Sequence, residues 1–242
     1  MTSGRPFYSE FGWAYDLLVA DAVEPWVDAV EEALRAREIA RPARVLDAGC
    51  GTGRHAAELA ARGHDVVLLE PSAELLAQAH ERLPDALAFH ADLFAPPPVD
   101  VDCATCRGVL NDVVEDAERD TALETLAAVL RPGGILVADV REREATAARY
   151  RPGRTLDRHV ELRSGPLHFH STGTWDDAAG LVCLHERHEA GGRVAESDFV
   201  MRPWTEDEVR GRLARAGFRD VAIGPGAGER RADRLLVVAT RG

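Results

Sequence analysis

Lysine is absent from the 242 residues, so all 29 basic side chains are arginine. That absence excludes Schiff-base chemistry and any lysine general base. Cysteine is scarce: Cys50, Cys103, Cys106 and Cys183 make up all four, and they do not form two metal-type pairs. Cys103 and Cys106 have C-x-x-C spacing but lie in the apolar run 101–109, where residues three apart on a strand face opposite ways. They read as reduced, buried thiols. No apolar run approaches the roughly 20 residues of a membrane span, and the amino terminus lacks the apolar stretch of a secretory signal. The expectation is a cytoplasmic protein with no membrane partner. Positive charge is in deficit: the formal net charge of -12 argues against a protein that holds nucleic acid, because that affinity comes mainly from neutralising phosphates. A small or cationic acceptor fits better.

What is present is concentrated in residues 44–53, Arg-Val-Leu-Asp-Ala-Gly-Cys-Gly-Thr-Gly, an apolar strand that runs directly into Gly49, Gly51 and Gly53. Glycine lets the backbone turn tightly and approach a ligand, and a short alanine-rich helix follows. A dinucleotide fingerprint would place its third glycine where Arg54 stands, and the acid Asp47 precedes the loop. A carboxylate there suits a ligand carrying an ammonium or sulfonium and would repel a diphosphate. Over 42–140 strands are expected at 45–48, 66–69, 86–89, 102–107 and 135–139, with helices between. Strands separated by helices imply a parallel sheet covered on both faces, with ligands at the carboxyl ends. Asp47, Glu70, Asp92, Arg107 and Asp139 fall at such ends.

This loop resembles motif I of the class I S-adenosylmethionine-dependent methyltransferases, of the small-molecule type. Three further stretches match that family in order and spacing: Val-Val-Leu-Leu-Glu-Pro-Ser at 66–72, Ala91-Asp92-Leu93, and 130–139. The resemblance implies S-adenosyl-L-methionine as cofactor and S-adenosyl-L-homocysteine as product. Under it Asp47, Gly49, Cys50, Gly51 and Gly53 form the cofactor loop, Glu70 with Pro71 takes the ribose hydroxyls, and Asp92 with Leu93 takes the adenine. Arg107, at the end of the fourth strand, could hold the cofactor carboxylate or an acidic acceptor. Ala14-Tyr15-Asp16 is similar to a segment that such enzymes fold over the methionine end, which puts Tyr15 in the site.

Methyl transfer from a sulfonium needs alignment and exclusion of water, and one general base suffices where the acceptor is protonated. Asn111 and Asp112, after the fourth strand, could orient an amine or hydroxyl. His168 and His170, on one strand face, are the alternative bases. The histidine and cysteine spacings complete no ligand set, so no metal is expected. The Asp/Asn-Pro-Pro-aromatic run of adenine and cytosine amino-methyltransferases is missing after the fourth strand, which speaks against DNA as substrate.

The expected organisation is a helical cap over 1–41, with Asp21 and Glu24 as a capping box, and a cofactor-binding core over 42–140. An inserted lid over 141–202 follows, with an antiparallel meander of about four strands from 158, and then a helix from Thr205 and the last two strands over 203–242. The fold class is thus α/β: a Rossmann-like, doubly wound, mostly parallel seven-stranded sheet with a helical N-terminal cap and an inserted antiparallel β meander. The meander's strand edges offer a surface for a homodimer. The function expected is methyl transfer to N or O of a small molecule in bacterial specialised metabolism. An aminopropyl-type transferase on the same fold, or a non-catalytic cofactor-binding module or partner subunit, are the alternatives.

Overall fold

The apolar run that opens the glycine loop is buried on both sides because it lies in the middle of a sheet. A computed structural model describes residues 5–19, 21–95, 97–228 and 232–242. A 3₁₀ turn (Gly12–Ala14), α1 (Tyr15–Leu18) and α2 (Glu24–Ala36) precede the sheet. Its core then alternates β1 (Arg44–Ala48), α3 (Arg54–Ala61), β2 (Asp65–Leu69), α4 (Ala73–Arg82), β3 (Leu87–Phe89), β4 (Val101–Arg107), α5 (Asp116–Ala128) and β5 (Leu130–Arg141). After α6 (Arg143–Tyr150) come the meander strands β6 (Arg154–Leu162), β7 (Gly165–Asp176), β8 (Leu181–Ala190) and β9 (Arg193–Met201). The chain returns to the first sheet through α7 (Glu206–Arg215), β10 (Phe218–Pro225) and β11 (Arg234–Arg241).

The seven-stranded sheet has the order β10-β11-β5-β4-β1-β2-β3. Strands β1 to β5 pair in parallel, and β10 and β11 are antiparallel. The strand order reverses between β1 and β4, so the turns at Gly49 and Gly108 flank the crevice where an open sheet of this kind takes its ligand. Two apolar layers cover the faces, one around Leu46, Leu69, Leu126 and Trp204, the other around Trp26, Val30, Leu59 and Val137. No helix of the described residues is long and apolar enough to cross a membrane.

Local sequence explains most boundaries. Ser72 Oγ accepts the Leu75 N–H at the start of α4, and Thr205 Oγ1 accepts the Glu208 N–H at the start of α7. The capping box expected of Asp21 and Glu24 does not form: Val23 is the cap position of α2 and no side chain caps it. Asp21 is drawn away, its carboxylate 3.6 Å from Arg107 and its carbonyl accepting from Arg54.

The four meander strands form a separate antiparallel sheet in sequence order, beginning at Arg154 rather than 158. Strand alternation gives it two unlike faces. Leu167 and Phe169 point inward and pack on Phe7, Phe11, Ala14 and Leu18 of the N-terminal segment. His168, directly opposite His159, and His170, opposite Asp157, point outward.

Candidate active site

A cavity of about 550 Å³ opens between the carboxyl ends of the core strands, the N-terminal segment and the inner face of the meander. The three glycines of the loop all have positive φ (74°, 56° and 78°), which explains why no side chain stands at those positions. Their surroundings separate their roles. A Cβ on Gly49 would meet Val109 at 2.4 Å and one on Gly53 would meet Ala79 of α4 at 2.9 Å, so these two glycines serve packing. Around Gly51 nothing lies within 4 Å of that point, and it lines the cavity. Beside it the buried Glu70 carboxylate accepts the Gly51 N–H and the Ser72 N–H, each at 2.9 Å. Burial raises the Glu70 pKa, and those two backbone donors oppose the rise. Asp47, behind the loop, has one oxygen held by the Thr105 hydroxyl at 2.8 Å, while its Oδ2 is buried with no partner. Burial lifts the Asp47 carboxyl to about 6, against the Thr105 hydrogen bond and Arg107.

These features fit the cofactor that the sequence implies. The empty cradle at Gly51 admits a ligand edge and Glu70 offers acceptor oxygens to paired hydroxyls, whereas Asp47 is buried behind the loop and does not line the cavity. Tyr15, Pro71 and Arg107 line the same cavity. Tyr15 lies within electrostatic reach of both Glu70 and Asp112, and so joins the two ends of the cleft.

At the acceptor end stands Asp112. It lines the cavity, its carboxylate accepts no hydrogen bond from the described residues, and burial lifts it to about 6 against the pull of Arg5, Arg234 and Arg141. Arg5 holds Glu186 of β8 through two nitrogens, at 2.5 and 2.9 Å, and its guanidinium stacks 3.5 Å from the centre of the Phe199 ring. Its third nitrogen donates to the Tyr8 hydroxyl at 2.9 Å. The N-terminal segment is thereby fastened to the meander, and through Tyr8, whose carbonyl accepts from Ser72 Oγ, to the turn between β2 and α4 beside Glu70 as well.

Several expected site residues stand elsewhere. Asn111 is fully buried, with Oδ1 accepting the Arg141 N–H at 2.7 Å and Nδ2 directed to the Gly108 carbonyl, so its amide shapes the backbone and does not meet an acceptor. His168 and His170 are corrected as candidate bases. They lie on the outer face of the meander, His170 at 2.5 Å from Asp157 and His168 at 3.1 Å from His159, away from the cavity. Cys50, Gly53 and Leu93 are enclosed by packing, and Asp92 accepts the Phe94 N–H at 2.9 Å; none of the four lines the cavity. Among the described residues, no three His, Cys, Asp or Glu side chains come together as metal ligands would. The residues that sequence reasoning missed are chiefly Arg5, Tyr8, Glu186 and a set of arginines from β5, α6 and β6. Nothing local marks them, because their partners are distant in the chain.

Comparison with known proteins agrees with this geometry. The family described as Methyltransferase domain matches residues 45–134. Over that segment the chain resembles the S-adenosylmethionine-dependent methyltransferases, and its fold is theirs. It is 37% identical over 116 residues to a dTDP-3-amino-3,6-dideoxy-alpha-D-glucopyranose N,N-dimethyltransferase of Streptomyces fradiae, a match that covers 44% of this chain and 43% of that protein. The chain thus matches less than half the length of this relative. The S-adenosylmethionine-bound structure of CalS10, an amino pentose methyltransferase of Micromonospora echinaspora, superposes with a TM-score of 0.70 at 27% identity over 92% of both chains. The sugar N-methyltransferase KedS8 of Streptoalloteichus shares the fold, with a TM-score of 0.79 at 24% identity over 94% of this chain and 92% of that one.

Proposed function

We propose that the protein transfers the methyl group of S-adenosyl-L-methionine to the amino nitrogen of a small amino-sugar acceptor in specialised metabolism. The observation that carries this reading is Asp112, an unbonded carboxylate between the cofactor loop and the arginines of the meander side, titrating near 6. At neutral pH it is ionised. It can therefore attract an ammonium, accept its proton and leave the nitrogen lone pair free, within the pH range where a general base is effective. The bound cofactor supplies an electrophilic methyl group on a sulfonium. Glu70 and Gly51 would hold its ribose edge, Arg107 its carboxylate, and Tyr15 would close over its methionine end.

The Arg5–Glu186 pair keeps the N-terminal segment seated on the meander, which closes the cleft to bulk water. In this reading residues 1–41 act as the cap, 141–202 as the acceptor lid, and 42–140 with 203–242 as the cofactor core. Support for nitrogen over oxygen comes from the Streptomyces and Micromonospora relatives, whose names specify amino sugars. The test is mass spectrometry of reactions with S-adenosylmethionine and paired acceptors, an amino sugar and its hydroxyl counterpart. Methyl groups are expected on the amine alone, and transfer to the hydroxyl compound alone would overturn the nitrogen assignment.

A further inference from the structure

Asp112 stands in residues 108–115, a stretch without regular structure between β4 and α5, and such a connection is ordinarily mobile. Here its carbonyls are taken up one after another. Inside the stretch, Asn111 Nδ2 is directed to the Gly108 carbonyl and the Asp112 N–H donates to that of Val109 at 2.9 Å. The others are held from outside. Trp204 Nε1 donates to the Leu110 carbonyl at 3.2 Å and the Arg202 N–H to that of Asn111 at 2.9 Å. Arg119 Nε donates to the Val113 carbonyl at 2.8 Å and Arg202 Nη1 to that of Val114 at 2.7 Å. Asn111 and Val113, on either side, are buried, whereas Asp112 lines the cavity.

Arg119, in the first turns of α5, closes the arrangement. Its guanidinium is fully buried 3.9 Å from the centre of the Trp204 ring, donates to Glu208 of α7 at 2.9 Å, and through Nη2 donates to the Arg202 carbonyl. Hydrogen bonds therefore form a ring around Asp112. The Arg202 N–H donates to Asn111, the Arg202 carbonyl accepts from Arg119, and Arg119 donates in turn to Val113. Arg202 directly follows Met201, the last residue of β9, and Met201 lines the cavity. The ring thus ties the carboxylate to the strand that walls the acceptor end. A buried guanidinium is a costly way to fill core space, where an apolar side chain of similar volume often serves as well. An apolar side chain cannot, however, supply donors to carbonyls of two segments distant in the chain.

We infer that Arg119, seated on Trp204, is the positioning residue that fixes Asp112 against the acceptor wall. This rests on the reading of Asp112 as base for an acceptor amine and adds the groups that hold it in place. A general base must come within about 3 Å of the proton it takes, and a displacement of about 1 Å costs about 100-fold in rate. Neither Arg119 nor Trp204 lines the cavity, so their effect passes through Asp112.

The test compares Arg119→Lys, which keeps a charge for Glu208 but lacks the fork that reaches both carbonyls, with Arg212→Met. Arg212 pairs with Glu208, Asp116 and Asp120 in the same ion-pair network, and none of its hydrogen bonds goes to 108–115. Its loss is expected to lower stability and leave kcat for an amino sugar unchanged. Arg119→Lys is expected to lower kcat about 100-fold with S-adenosylhomocysteine affinity unchanged. It should also move the acid limb of kcat/KM down from near 6, because a carboxylate freed from its buried position regains water. Trp204→Phe keeps a ring beneath the guanidinium and removes only the donor to Leu110. It should show both changes, with about a fivefold loss in kcat, and decides the matter where Arg119→Lys does not fold. Wild-type kcat overturns the inference, as does a loss that leaves the acid limb in place or that Arg212→Met reproduces. Asp112→Asn separates this from the reading beneath it. Full turnover in that variant removes the base itself, whereas an inactive Asp112→Asn beside an undisturbed Arg119→Lys removes the positioning role alone.

Discussion

Replacing Asp112 with asparagine is expected to make the protein more stable and inactive at once. The aspartate carboxyl is lifted from 3.8 to about 6 in the fold, chiefly by burial. Between those two values the native state binds more protons than the unfolded chain, so stability falls as pH rises through the window, and above about 6 the full penalty is present. A rise of this size corresponds to about 3 kcal/mol. The carboxylate is partly reachable from the cavity, and water there screens some of the penalty, so about 1–2 kcal/mol is the realistic gain at pH 8 for Asp112→Asn. At pH 4, where the native aspartate is protonated, the two proteins should unfold alike. Urea unfolding at both pH values, beside a methyl-transfer assay on an amino sugar, reads both effects. A variant that is destabilised at pH 8, or one that keeps wild-type turnover, would show that Asp112 is a structural acid and not a held base.

The other predictions bear on the two walls of the cleft. Glu70→Gln should weaken S-adenosylhomocysteine by roughly 2 kcal/mol in calorimetry, because an amide cannot accept from two backbone N–H groups and a ligand hydroxyl pair at once; an affinity within threefold of wild type would remove Glu70 from the cofactor site. Gly51→Ala should lower cofactor affinity more than stability, and Gly53→Ala the reverse, since only the second drives a methyl into Ala79. His168→Ala and His170→Ala should leave turnover unchanged, and a large loss in kcat would contradict their outward placement. His188, fully buried among Phe7, Phe11 and Phe169 with both ring nitrogens unbonded, is lowered from 6.5 to about 4 by burial and then by Arg5. The unfolded chain takes up its proton first, so stability is lost as pH falls from 6.5 towards 4, by about 3 kcal/mol. His188→Phe should abolish that acid limb in unfolding titrations, and an unchanged slope would place the effect elsewhere.

The core was legible because its signals are local. An apolar strand, a glycine loop and an acid about twenty residues on are fixed by backbone geometry within single βα units, and β1, β2 and β4 appear within a residue of where the pattern puts them. Even so, the spacing did not separate the three glycines. Gly49 and Gly53 are required by Val109 and Ala79, which the chain brings up from 60 and 26 positions away, while Gly51 is required by the cleft.

The acceptor end was far less legible, and the histidines show why. Alternation placed His168 and His170 together on one face, and the attraction of imidazole as a base favoured turning that face inward. The neighbouring apolar pair, Leu167 and Phe169, carries the opposite instruction: in a sheet with one wet face, the alternating apolar positions set the register against the core. Those two residues meet Phe7 and Phe11 of the N-terminal segment, so the inner face belongs to the odd positions of β7, and the strand pairing carries that choice across to Leu156 and Glu186. Once the face is fixed, Arg154 and Arg158 follow into the cleft and the histidines are excluded from it. Apolar packing thus decides which polar groups can do chemistry. The sequence of β7 held that information in its leucine and phenylalanine, not in the residues that look reactive.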